Sequence, residues 1–179
     1  MLNRLVYGRF GSRKGLLLFF YHWLIALVGG YSKFAAVSPK SDQRLVFVCS
    51  GNICRSPLAE VYARSLGKEA ASCGLHCGDE FPADPRARAF ARHQGLSLED
   101  HKTVNVKDFA FRETDLIVVM EPDHIKSFQQ KVGSKCQLVL AGSYCKNPFP
   151  YIHDPFNTCE EFFSRCEQRV MEAVRGLCA

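Results

Sequence analysis

The stretch Val46–Glu60, VFVCSGNICRSPLAE, constrains the fold more than any other. A short apolar run, Leu45 to Val48, reads as a buried strand, and the chain then curls through Gly51 and Asn52 before Ser56-Pro57 opens a helix to about Leu66. Ser56 is the expected N-cap and Pro57 the first helical residue. Asp84-Pro85 repeats that start signal for a helix ending at Gly95. Asp115–Met120 and Gln137–Gly142 are further apolar strands, separated by a helix after Pro122. Thr158–Val174 is amphipathic, with Phe162, Cys166, Val170 and Val174 on one stripe. Strands alternating with helices predict an α/β three-layer sandwich: a short parallel sheet of about four strands, with helices on both faces and a curled loop after the first strand.

The chain has 179 residues and a net charge of +5. Six of its 23 basic residues precede Asp42 with no acid among them, so the remaining 138 residues carry 17 basic and 18 acidic side chains. The basicity therefore belongs to the N-terminal segment, and with no basic run interleaved with aromatics, nucleic acid is not an expected partner. Nine cysteines, an odd number at irregular spacing, read as reduced thiols rather than a disulfide framework. Cys73 and Cys77, or Cys159 and Cys166, lack a matching second pair at zinc spacing, so no metal or cofactor is expected. Cys159 and Cys166, seven apart, read instead as two small apolar residues on one helix face.

In α/β sheets ligands bind beyond the C-terminal strand ends, and Cys49 stands at such an end. A curled loop feeding a helix N-terminus turns several N–H groups inward and adds the positive end of the helix dipole, which makes an anion site from Ser50, Gly51, Asn52, Ile53 and Cys54. Arg55 offers a planar two-pronged donor to a phosphate-like oxyanion, and the same environment favours thiolate at Cys49. Attack of sulfur on phosphorus then gives a phosphocysteine that water hydrolyses. The leaving group needs a proton, and Asp154 in HDPFN is the carboxylate that stands out, on a turn stiffened by Pro155 and beside the ring of Phe156.

VCSGNICRSP with the later DPF resembles the low-molecular-weight protein tyrosine phosphatases, over about residues 44 to 177, with SCG at Ser72, DPRA at Asp84, HQGLSLEDHK ending at Lys102, DLIVVME at Asp115 and GSY at Gly142 in the family's order. The resemblance implies Cys49 as nucleophile, Arg55 as phosphate clamp, Asp154 as general acid and Ser56 as support for the thiolate. It implies that Asn52, Ser72 and His101 hold the loop, and that Cys54 forms a reversible disulfide with an oxidised Cys49. Ile53, where related bacterial arginine phosphatases have threonine, goes with a phosphotyrosine-containing protein as substrate and, with Phe156, forms a pocket wall. LHCGDEF lacks a tryptophan or tyrosine for the opposite wall and leaves Phe81 unplaced. Two alternatives stay open: a thiol-linked arsenate reductase on the same fold and loop, and a catalytically silent phosphotyrosine-binding module tethered to a membrane.

Residues 1–37 read as a basic and hydrophobic segment and 38–43 as a linker, and the resemblance makes 44–179 the expected phosphatase domain. Gly15–Tyr31 is apolar around its circumference apart from His22 and the tyrosine hydroxyls, and as a helix spans about 25 Å. It reads as an appended hydrophobic helix that anchors the protein in a membrane; a secretory signal cut after Gly30, or a helix packed on the domain or a partner, are the other readings. The basic flank favours a cytoplasmic N-terminus and an external domain, whereas a reduced thiolate acting on phosphotyrosine favours a cytoplasmic domain, membrane-associated or soluble.

Overall fold

The computed structural model describes residues 2–35, 37–40, 43–133 and 136–179, with residues 2–5 as backbone alone. Residues 41 and 42 of the expected linker lie outside the described residues. Two helices, α1 (Leu2–Phe10) and α2 (Arg13–Leu27), and a 3-10 turn at Ser32–Phe34 precede the sheet. Then follow β1 (Leu45–Cys49), α3 (Arg55–Ser65), β2 (Ala70–Gly74), α4 (Pro85–His93), β3 (Leu116–Val119), α5 (Pro122–Val132), β4 (Gln137–Leu140) and α6 (Glu160–Cys178). The strands form one parallel sheet in the order β2-β1-β3-β4, with Leu45 opposite Ala70 on one side and Leu116 on the other.

Every residue of β1 and β3 is buried, as expected of central parallel strands covered on both faces. Side chains alternate between two cores. Leu45, Phe47 and Cys49 join α3, α4 and α6 through Leu58, Ala87, Phe163 and Val170, whereas Val46 and Val48 join α5 through Ile125 and Phe128. The chain leaves β1 for β2 on one side and then crosses to β3 on the other, so the strand order reverses between β1 and β3. That reversal opens a crevice beyond the C-terminal ends of these two strands.

Two local expectations change and one holds. The N-cap of α3 is Cys54, and Ser56 lies inside the helix, because its hydroxyl is engaged by Cys49 and Asn52 rather than by a free amide. Asp84 does cap α4, accepting from Arg86 N–H at 2.8 Å. Cys159 is exposed at the N-cap of α6, where its Sγ meets Tyr7 O, so only Cys166 sits on the buried face.

The N-terminal segment does not provide a membrane span: among the described residues no helix is long and apolar enough to cross a bilayer. α2 has 15 residues, about 22 Å, against a hydrocarbon core of about 30 Å. It stops at Leu27, and the chain turns back through Gly29 (φ 74°) so that Tyr31 OH reaches His22 Nδ1 at 2.6 Å. One face packs on the domain. Phe19 meets Phe149 with ring centroids 4.7 Å apart, and buried His22 lies 4.6 Å from the ring of Tyr151. Gly15 permits this approach, since a Cβ there would stand 2.9 Å from His153 Nε2.

Candidate active site

The loop between β1 and α3 is held by one side chain. Asn52 is fully buried with φ 53°, a left-handed conformation that Asn tolerates better than most residues. Its Nδ2 donates to Ser56 Oγ and Ser72 Oγ, both at 2.9 Å, and its Oδ1 accepts from Val104 N–H at 3.0 Å. Ser72 Oγ in turn donates to Glu60 Oε2 at 2.6 Å. Because Ser56 Oγ accepts from Asn52, its own proton is free to point at Cys49 Sγ, 3.0 Å away. Asn52 N–H adds a second donor to that sulfur at 3.3 Å, and His101 Nε2 bonds Asn52 O at 2.7 Å. Two donors thus converge on the Cys49 sulfur.

Arg55 is 1% exposed. Nη1 donates to Glu121 Oε1 at 2.6 Å and to Ile152 O at 2.8 Å, and Nη2 lies 3.1 Å from Asp154 Oδ2. Burial alone lowers the affinity of this guanidinium for its proton, but Glu121 and Asp154 more than offset it and hold the group charged. Arg55 Nε is buried without a partner, and among the described residues the N–H groups of Gly51, Ile53 and Cys54 find no protein acceptor. Unpaired donors beside a buried guanidinium are what an oxyanion completes.

Glu121, from the end of β3, is a site residue that local sequence did not suggest. Its signal was position, two residues past the end of a strand that the fold places beside β1. His124, on the first turn of α5, reaches Ser50 Oγ with Nε2 at 3.1 Å. Burial, reinforced by Arg55, pushes His124 down to about 3, so it is neutral and its 3.5 Å approach to Glu121 is no ion pair. A proton on Nε2 leaves Nδ1 as the unpartnered acceptor, the cheaper atom to leave bare.

Beside the loop, Gly51, Ile53, Cys77, Phe81 and Phe156 line an open groove of about 500 Å³. Phe81, 61% exposed, supplies the aromatic ring that the sequence left unplaced, and Phe156 is 50% exposed. Asp154 is on the turn that presents Phe156, whose N–H donates to Asp154 Oδ1 at 3.2 Å. All nine cysteines are free thiols. Burial, with Glu167 next, pushes the Cys54 thiol up, and burial does the same at Cys73 and Cys77.

The model of the low molecular weight phosphotyrosine protein phosphatase family matches residues 44–179. A low molecular weight protein-tyrosine-phosphatase of Streptomyces coelicolor is 30% identical over 156 residues, covering 74% of this chain and 93% of the relative. The crystal structure of the Erwinia amylovora tyrosine phosphatase amsI superposes with a TM-score of 0.68 at 26% identity, covering 80% of this chain and 95% of the other. Wzb of Vibrio vulnificus, in complex with benzylphosphonate, gives a TM-score of 0.67 at 27% identity over 76% of this chain and 97% of its own.

Two buried groups give stability opposite pH slopes. Burial pushes Glu167 of α6 up to about 8, with Arg55 opposing, and neither of its oxygens has a partner among the described residues. Its raised affinity for a proton contributes stability that is present below pH ~4.5 and lost as pH rises through about 8. His124, with its affinity depressed, contributes stability that is present above pH ~6.5 and lost as pH falls through about 3. From these two groups, urea unfolding should show a plateau between about pH 4.5 and 6.5 and a fall of about 1.4 kcal/mol per pH unit on either side. Glu167→Gln should flatten the alkaline fall and His124→Asn the acid one; slopes unchanged in both variants would contradict the assignment.

Proposed function

Because the chain belongs to the low molecular weight phosphotyrosine protein phosphatase family, a family of hydrolases that cleave phosphotyrosine through a phosphocysteine, we propose that Cys49 is its nucleophile, Arg55 its phosphate clamp and Asp154 its general acid. The observation that carries this reading is the convergence of Ser56 Oγ and Asn52 N–H on the Cys49 sulfur, with Arg55 buried alongside. The phosphoryl oxygens take the open N–H groups of the loop and the free donors of Arg55. Sulfur attacks phosphorus as the P–O bond to the leaving group breaks, and protonated Asp154 gives its proton to the departing phenolate. Water then attacks the phosphocysteine, Asp154 takes a proton from it, and the S–P bond breaks to return the thiolate stabilised by Ser56 and Asn52.

The groove supports a flat aromatic substrate. Phe81 and Phe156 offer two exposed rings with Ile53 beside the loop, and a relative with this fold binds benzylphosphonate, an aryl mimic of phosphotyrosine. Thiol-linked arsenate reduction draws less support: it needs a resolving thiolate, and Cys54, Cys73 and Cys77 are all held toward the thiol form. A silent binding module would have no use for Asp154 against Arg55.

The proposed setting is the cytoplasmic face of a membrane, where the thiolate stays reduced. Leu17, Phe20, Tyr21, Leu24, Leu27 and Val28 of the α2 segment form one exposed stripe pointing away from the domain. Arg13, Lys14 and Lys33 flank it, and the first 41 residues hold no acid. An apolar face with basic ends suits a helix lying in an anionic interface rather than across it.

Full-length protein under reducing conditions should hydrolyse a phosphotyrosine peptide and leave phosphoserine and phosphoarginine peptides intact. Asp154→Ala should lower kcat about 10²- to 10⁴-fold, and less for leaving groups that need no proton; unchanged turnover would remove Asp154 from its role. In sedimentation, anionic phosphatidylglycerol vesicles should retain the protein and neutral phosphatidylcholine vesicles should not. Leu17→Glu with Leu24→Glu should release it; protein left in the supernatant with both vesicle types would rule the interface out.

A further inference from the structure

A second pocket, partly open to solvent, lies between the N-terminal helices and the domain. It measures about 500 Å³, within the ~300–1,000 Å³ range of small-molecule sites. Phe10, Phe19 and Trp23 wall it from the N-terminal side, and Phe149, Tyr151 and Phe162 from the domain. Cys49, Arg55 and Asp154 take no part in its lining.

Charge decides what such a chamber would hold. Arg9, Arg165 and Arg169 border it, and its lining includes no carboxylate. Arg165 is paired with Glu161 at 3.0 Å. Arg169 donates only to the carbonyls of Asn147 and Phe149, at 3.1 and 3.5 Å, which leaves its charge uncompensated. Arg9 is exposed, lies 5.7 Å from the ring of Phe10, and meets no acid among the described residues. The lining His153 is pushed down by burial, so it adds no charge at neutral pH.

We propose that this cavity is a binding site for a single-chain amphipathic anion, with a hydrocarbon body among the aromatic rings and a carboxylate or phosphate head at Arg9 and Arg169. A cationic amphiphile would face two uncompensated guanidinium groups, and a small anion would leave the apolar chamber unfilled. The head group has two sources of the same chemistry, a free fatty acid and the phosphate of a single-chain lipid.

Trp23 is the chain's only tryptophan and stands in the cavity wall, so its fluorescence reads occupancy. Full-length protein is titrated below micelle-forming concentrations with dodecanoate, dodecylphosphonate, dodecyltrimethylammonium and acetate. One of the two dodecyl anions should give a saturable one-site change, and the tighter one identifies the head group. The cation and acetate should not saturate. Arg9→Glu should weaken binding at least tenfold, and because Arg9 is exposed and unpaired the variant keeps the fold. Leu17→Glu with Leu24→Glu, on the outer stripe, should leave the titration in place. No saturation with either anion, an equal response to the cation, or loss in the stripe variant but not in Arg9→Glu would overturn the proposal, the last by assigning the signal to partition onto the outer face of α2.

Discussion

The amide of Asn52 is the joint on which the site depends. A left-handed residue in the middle of the loop turns the backbone so that its own N–H meets the Cys49 sulfur, and the side chain then fixes the direction of every hydroxyl around it. Glu60 takes the proton of Ser72, Ser72 accepts from Asn52, and Asn52 occupies the acceptor side of Ser56, which leaves the Ser56 proton nowhere better to go than sulfur. This ordered relay is buried, where an unmet donor or acceptor costs about 1–3 kcal/mol, so its members hold one another in register. β2 belongs to it as much as the loop does, because Ser72 stands on that strand.

Arg55 performs the second fixing. A buried guanidinium is tolerable only when its charge is answered, and the answers come from two separate places: Glu121 past β3, and the segment that carries both the Ile152 carbonyl and Asp154. The clamp therefore gathers the reversal point of the sheet and the turn carrying the acid around the nucleophile. The same segment, Tyr151 to Asp154, meets the N-terminal helices on its other side through Tyr151 and His153, so the appendage rests directly behind the acid.

What was legible in the sequence was local. The strand ending on Cys49, the curl at Gly51-Asn52 and the alternation of strands and helices are written in short-range residue types and led to the parallel sheet and the loop. β2 was not legible as a strand, because Ala-Ala-Ser-Cys-Gly has no apolar run and owes its state to pairing with β1. Ser56 read as an N-cap because only its neighbours in sequence were visible, whereas its bonds run back into the loop. Glu121 was missed and Phe81 left unplaced for one reason: each joins the site through strand order and loop placement, which no local pattern encodes. The apolar run at Gly15–Tyr31 suggested a span, yet its inward Phe19 and His22 are spoken for by the domain, and only the outward stripe is free.

The central claim is that phosphate passes through the sulfur of Cys49. Asp154→Ala protein, mixed with 4-nitrophenyl phosphate, whose leaving group needs no proton, and quenched during turnover, can be digested and sequenced by mass spectrometry. A phosphoryl group on the peptide carrying Cys49, absent from Cys49→Ser protein, is the result this structure predicts. Continued hydrolysis with no phosphate on Cys49, or with phosphate on another residue, would contradict it.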